Sequence, residues 1–331
     1  MTTGHTSSSS AMARVQPRHL LATSVCLAVL IVGVMVGALL GTESDAYAAD
    51  RRPGTRTSGG SSPSPEYAGD VQPCSTPINV QIQSASQESS GLVVTTTLSS
   101  TCSTGDLIAN DRFRLTAFDG GGRDVAAGVF DLASTPIVVP GDGAATTVTF
   151  TFPAGTYWRT PGATQGSLTF TAHREGNVST PSASTIGATA VTAIDVGTPE
   201  HGSLDAAAYS ALVDIVASDL SYINANLLDV WQPQLSSKRP GLYYDGITWQ
   251  ANDIVREHMQ LRQKYPNARM VWSGDWPVYR IKDWWITVSG IPMGSGEAAN
   301  QWCVSQGYDA DHCFAKMLSH QLGESGTTMN R

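Results

Sequence analysis

Residues 283 to 290 read DWWITVSG. The run from Trp284 to Val288 is aromatic and β-branched and reads as a β-strand. Successive strand side chains point to opposite faces, so Trp284 and Trp285 cannot both enter a core on one side of a sheet. The neighbouring segments supply the context. VWQPQLS (230–236) reads as a strand, residues 250–265 as a helix with Ile254, His258 and Leu261 on one face, and ARMVWS (268–273) as a second strand. Pro266 and Asn267 end that helix. Downstream, 296–306 reads as a helix capped by Ser295, and CFAKMLS (313–319) as a closing strand. The order β-α-β-β-α-β is that of the ferredoxin-like α+β class, with two helices on one face of a four-stranded sheet and the other face open.

Alternation then assigns faces. Trp284, Ile286 and Val288 are expected to face the helices, with Trp285, Thr287 and Ser289 on the open side. In the first strand Trp231 and Leu235 point inward and Gln232 and Gln234 outward. In the last, Cys313, Ala315 and Met317 point inward, leaving Phe314, Lys316, Leu318 and His320 outside. The open face is therefore expected to carry Gln232, Gln234, Trp285, Thr287, Lys316 and His320. An aromatic ring among amides, a hydroxyl and an ammonium suits a sugar, whose C–H face packs on the ring while its hydroxyls take hydrogen bonds. The competing expectation is that another element, such as the helix around Leu212, covers this face and makes Trp285 a core residue.

The rest of the chain divides by composition. Residues 1–19 form a basic leader without acids, and 20–41 (LLATSVCLAVLIVGVMVGALLG) are free of charge over the length a membrane-spanning helix needs. Ala46-Tyr47-Ala48 offers a signal-peptidase site, so this segment is read as an anchor or a cleaved signal; either way the chain is exported. Residues 42–73 are Pro, Gly and Ser-rich and read as a disordered linker. From 74 to 196 short period-two runs such as Val148, Phe150, Phe152 alternate with turn clusters, the pattern of an all-β, immunoglobulin-like sandwich. Tyr157 and Trp158 read as packing residues at a strand end. Residues 203–228 read as a connecting helix capped by Ser203, with Leu212, Ile215, Val216 and Leu220 on one face. The second domain runs over 229–322, and 323–331 is a tail.

Of five cysteines, Cys26 lies in the apolar run. Cys74, Cys102, Cys303 and Cys313 lie in the exported part, where disulfides persist, and four cysteines permit three connectivities. Pairing nearest neighbours, Cys74 with Cys102 and Cys303 with Cys313, keeps each bridge within one domain. No Cys-x-x-Cys or His-x-x-x-His spacing calls for zinc, and neither metal nor cofactor is expected. A net charge of −8 sets nucleic acid aside.

The stretches WQPQLSSKRPGL, LRQKYPNARMVWSGDWPVYRIKDWWITVSG and AANQWCVSQGYDADHCFAKMLSH, within about 230–320, resemble the extracytoplasmic C-terminal domain of actinobacterial membrane proteins, including some receptor-type serine/threonine kinases. That domain is similar to SPOR domains, βαββαβ modules that bind peptidoglycan glycan strands along the open sheet face. The resemblance implies the same face for this chain. The chain carries no kinase Gly-rich loop or His-Arg-Asp signature, so the signalling role does not carry over.

Candidate chemistry is sparse. GYDADHC groups Asp309, Asp311 and His312, but this pattern also builds the turn before the last strand. Glu257 and His258 sit on an amphipathic helix, and the loop carrying Asp275, Arg280 and Lys282 is placed to shape one end of the open face. No nucleophile and base form a pair. The sequence thus points to a non-enzymatic, extracytoplasmic binding protein of the cell envelope, held at the membrane by a single N-terminal helix or, if cleaved after Ala48, secreted. Its expected partner is a cell-wall glycan or, alternatively, an envelope protein.

Overall fold

The computed structural model describes residues 71–180 and 187–331. The leader, the apolar segment and all but the last three residues of the linker lie outside the described residues. Within them the chain is β-rich, with three α-helices and several sheets.

The first half supplies β1 (Asn79–Glu88), β2 (Gly91–Ser99), β3 (Asp106–Ile108), β4 (Asn110–Phe118), β5 (Asp124–Phe130), β6 (Ile137–Val139), β7 (Ala145–Phe152), β8 (Thr169–Val178), β9 (Ala190–Thr192) and β10 (Asp195–Val196). One sheet orders β1-β2-β7-β9, a second β10-β5-β4-β8, and β3 pairs with β6. The alternation seen in the sequence is the alternation of burial. Leu92, Val94 and Leu98 of β2 and Val148, Phe150 and Phe152 of β7 point inward, and Thr95, Thr97, Thr149 and Thr151 between them are partly exposed. Phe130 stands edge-on to Phe150 at 5.0 Å and to Phe152 at 5.4 Å, locking the two sheets over one core.

Helix α1 (Leu204–Asn226) starts at Ser203, whose side chain accepts from the Ala206 amide at 3.2 Å. It is long and apolar enough to cross a membrane, but its apolar stripe is used inside the fold. Ala207, Ala208, Ala211, Leu212 and Ile215 are buried in the same cluster as the sandwich core. Leu220, expected on that face, is exposed, and Asp219 and Ile223 are buried in its stead. The helix runs against the helix Ala251–Lys264 and the strand Arg269–Trp272, which moves its stripe toward those neighbours.

The second half contributes β11 (Trp231–Lys238), β12 (Tyr243–Tyr244), β13 (Ile247–Thr248), α2 (Ala251–Lys264), β14 (Arg269–Trp272), β15 (Trp285–Val288), α3 (Gly296–Ser305), β16 (Phe314–Met317) and β17 (Thr328–Met329). The sheet orders β14-β15-β11-β16-β17, antiparallel throughout. The expected tail is therefore part of the sheet: β17 pairs with β16, and Arg331 Nη2 donates to the Tyr308 carbonyl at 2.6 Å.

The sandwich does not stand apart. Tyr157 and Trp158 are fully buried, and Trp158 Nε1 donates to Asn252 Oδ1 of α2 at 2.7 Å. One apolar cluster runs from the sandwich through α1 and α2 to Met270 and Trp285.

Both expected disulfides are present, Cys74–Cys102 and Cys303–Cys313. The second joins α3 to the start of β16 across a separation of 10 residues. Replacing Cys303 and Cys313 together by Ser is expected to cost about 2–3 kcal/mol, chiefly by freeing the unfolded chain. The measurement is the urea midpoint; an unchanged midpoint would mean that packing alone holds this corner.

Candidate functional site

The faces of β15 are the reverse of those expected. Trp285 opposes Lys238 and Thr287 opposes Ser236, while Ile286 opposes Ser237 and Val288 opposes Gln234. Ser236 and Lys238 both meet Glu257 of α2, so the face of Trp285 and Thr287 is the helix-bearing one. Trp285 is only 4% exposed and packs edge-on against Tyr209 of α1 at 5.7 Å and against Trp272 at 4.7 Å. It is the covered core residue of the competing expectation, and its ring offers no free sugar platform. Thr287 is buried too, with its hydroxyl 3.0 Å from His258 Nδ1. Burial holds that imidazole well below its usual pKa, with Arg262 and Arg269 adding to the effect.

The reversal has a physical cause. Ile286 and Val288 are as buried as Trp285, packed with Trp276, Val278, Leu318 and Ile223. A strand covered on both faces carries no hydrophobic signal of which face is which. In β11 the irregularity between Gln234 and Ser236 adds a residue, and both Leu235 and Ser236 turn toward the helices.

Trp284 is thus the tryptophan on the far face. It lines two adjoining clefts of about 290 and 280 Å³, which also share Gln234, Ser237 and Phe314. Its Nε1–H is buried without a partner among the described residues, and the Arg239 guanidinium lies 5.6 Å from its ring centroid. Arg239 is held by Asp283 at 2.5 Å. The backbone at Trp284 is fixed by Ser273, whose Oγ accepts from the Trp284 amide at 3.0 Å.

The first cleft is walled by Tyr279, Arg280 and Ile281 from the loop between β14 and β15, as the sequence placed Arg280. Tyr279 donates to Gln234 Oε1 at 3.1 Å. Lys316 lines this cleft, yet its ammonium is used within the fold. It donates to the Val278 carbonyl and Thr328 Oγ1, each at 2.7 Å, and to Thr327 Oγ1 at 3.3 Å, and stands 4.6 Å from the Tyr279 ring centroid. Burial pushes its pKa down to about 8. It ties the loop and the C-terminal strand onto the sheet.

Gln232, directly opposite Lys316, is completely buried, with neither end of its amide partnered among the described residues. His320 lies outside both clefts, stacked on Trp276 at 4.5 Å with its Nε2 3.0 Å from Asn224 Oδ1. Of the six expected residues, only Gln234 and Lys316 reach the clefts. Trp284, Tyr279 and Ser237 were missed, and the doubled tryptophan was the signal that held the answer in the opposite phase.

The second cleft ends at Lys238, Tyr244, Asp311 and His312. Asp309 Oδ1 accepts from the amides of Asp311 and His312 at 3.0 and 2.9 Å, so the acidic run does build the turn before β16. His312 lies between Asp309 at 2.7 Å and Asp245 at 3.3 Å, and the hydrogen bond to Asp309 is the first cause of its raised pKa. Burial raises the Glu257 carboxyl, which Lys238 and Ser236 partly offset.

Comparison with models of known families, with curated proteins and with solved structures returns no match. The functional reading rests on the geometry above.

Proposed function

We propose that this is an exported, non-enzymatic binding protein of the cell envelope that takes a cell-wall glycan in the paired clefts around Trp284. The observation that carries this reading is the Trp284 side chain at the junction of the two clefts, which Gln234 and Ser237 also line. A ring for a sugar's C–H face beside amide and hydroxyl groups is the chemistry carbohydrate binding needs, and an elongated, two-part cleft suits a chain of sugars. The strand order, second-third-first-fourth with β17 added, fits a ferredoxin-like, SPOR-like domain, and the paired sheets fit an immunoglobulin-like one. Two disulfides fit an oxidising, extracytoplasmic compartment. Peptidoglycan is the glycan to test first, given the sequence resemblance.

Trp284→Ala is expected to weaken co-sedimentation with purified wall sacculi by about tenfold or more, a loss of about 1.4 kcal/mol. Trp284 is half-buried where Trp285 is buried, so the urea midpoint of this variant should fall by less than that of Trp285→Ala. Full retention of binding by a folded Trp284→Ala protein would remove the clefts from the account.

A second reading, a protein partner within an envelope complex, is favoured by the apolar groove of about 370 Å³ between α1 and β14, where Val213 and Leu220 are exposed. Retention on envelope material after muramidase digestion would support it over the glycan.

A further inference from the structure

Two arginines at the seam between the sandwich and the five-stranded sheet, Arg262 of α2 and Arg269 of β14, share one carboxylate. Arg262 Nη2 lies 2.5 Å from Asp219 Oδ1, and Arg269 Nε lies 3.6 Å from the same oxygen. The Arg269 guanidinium also lies over the Tyr222 ring, 3.9 Å from its centroid, and the remaining hydrogen bonds of the two guanidiniums go to backbone. Arg262 Nε donates to the Ala268 carbonyl at 3.2 Å, and Arg269 Nη1 donates to the carbonyls of Pro266 at 3.2 Å and Ala268 at 2.8 Å. Arg262 Nη1 and Arg269 Nη2 have no hydrogen-bond partner among the described residues. The triad carries one uncompensated positive charge in a chain whose net charge is −8. Burial, with Arg262 beside it, lowers the Arg269 pKa in spite of Asp219.

Both arginines line a groove of about 520 Å³. Its opposite wall comes from the sandwich, with Ser86 and Gln87 at the end of β1 and Thr160, Pro161 and Gly162 from the turn after Trp158. The Thr160 side chain makes no capping hydrogen bond there. The groove continues into a second cleft of about 280 Å³ that shares Gln87, Thr160, Arg262 and Pro266 and ends at Glu88. The positive charge is therefore concentrated in the larger part, away from that carboxylate.

We propose that this groove is an anion site that takes a phosphate group. Guanidinium forks present fixed N–H donors that suit phosphate oxygens and are only weakly hydrated. Arg262 Nη1, Arg269 Nη2 and the Thr160 hydroxyl, all on residues that line the groove, offer three donors from its two walls, as many as a phosphate monoester has terminal oxygens. The site does not depend on the glycan clefts, which lie on the far face of the five-stranded sheet.

The test uses inorganic phosphate as the probe and the whole protein, with ³¹P line broadening and thermal melting at constant ionic strength set by chloride. Nothing lies within 4 Å of the position a Cβ would take at Gly162, so a side chain is accommodated there. Gly162→Glu places a carboxylate at the groove, and Gly162→Gln controls for bulk. Phosphate is expected to raise the melting temperature of the parent and of Gly162→Gln, with affinity equal within about twofold, and to bind Gly162→Glu at least about tenfold more weakly, a loss of about 1.4 kcal/mol. Thr160→Val, which leaves both arginines in place, is expected to weaken phosphate about threefold. Equal affinity in Gly162→Glu and Gly162→Gln would overturn the proposal, as would a parent protein that responds to phosphate no more than to chloride. Acetate binding as tightly as phosphate would overturn the assignment to phosphate.

Discussion

Trp285→Ala is expected to cost about 3–5 kcal/mol of folding stability, the range for truncating a buried tryptophan. The ring is covered by Tyr209 and Trp272 and belongs to the cluster that runs from the sandwich through α1 and α2. Its Nε1–H is buried without a partner among the described residues, so truncation also removes an unpaired donor and should fall in the lower half of that range. Trp285→Phe keeps an aromatic ring and deletes the orphan donor, and is expected to cost less than about 2 kcal/mol. Urea denaturation measures both. The contrast with Trp284→Ala is the informative part: one tryptophan should chiefly change the midpoint and the other chiefly the binding. A Trp285→Ala protein that loses less than about 1 kcal/mol would show that the ring is not part of the core.

The same two residues show what the sequence could and could not say. In β2 and β7 one face of the strand is buried and the other is partly solvated, so Leu92, Val94, Phe150 and Phe152 announce their own side. In β15 every residue is buried, and apolar character no longer distinguishes the faces. The loop between β14 and β15 creates this condition, because Trp276 and Val278 fold back over the face that the strand order alone leaves open. β12, β13 and β17 were missed because a two-residue ladder leaves no period to read. The longer strands and both helices of the second half were readable from length and periodicity, and both cysteine pairings from joining nearest neighbours in sequence. The clefts were half readable. Gln234 and Lys316 sit on the expected side, but the three hydrogen bonds that occupy the Lys316 ammonium come from Val278, Thr327 and Thr328, residues no local pattern connects to it.

Asp219→Ala is expected to cost about 3–5 kcal/mol, because it leaves two partly buried guanidiniums without their counter-charge. Asp219 is 3% exposed and serves three elements at once from the middle of α1. Its Oδ1 meets Arg262 of α2 and Arg269 of β14, and its Oδ2 accepts from the Met270 amide at 2.8 Å, satisfying a backbone donor on the outer edge of the sheet. A carboxylate here explains why the long, apolar α1 packs in one register against both α2 and β14. Asp219→Asn retains an acceptor for Met270 but not the charge, and should fall between the parent and Asp219→Ala. Two mechanisms then separate in a double-mutant cycle with Arg262→Met. If the cost is mainly unpaired charge, removing Arg262 as well should recover part of it, with a coupling energy of about 1–3 kcal/mol. Simple additivity would place the cost instead at the Met270 amide, and the carboxylate would then act chiefly as the cap on the open edge of β14.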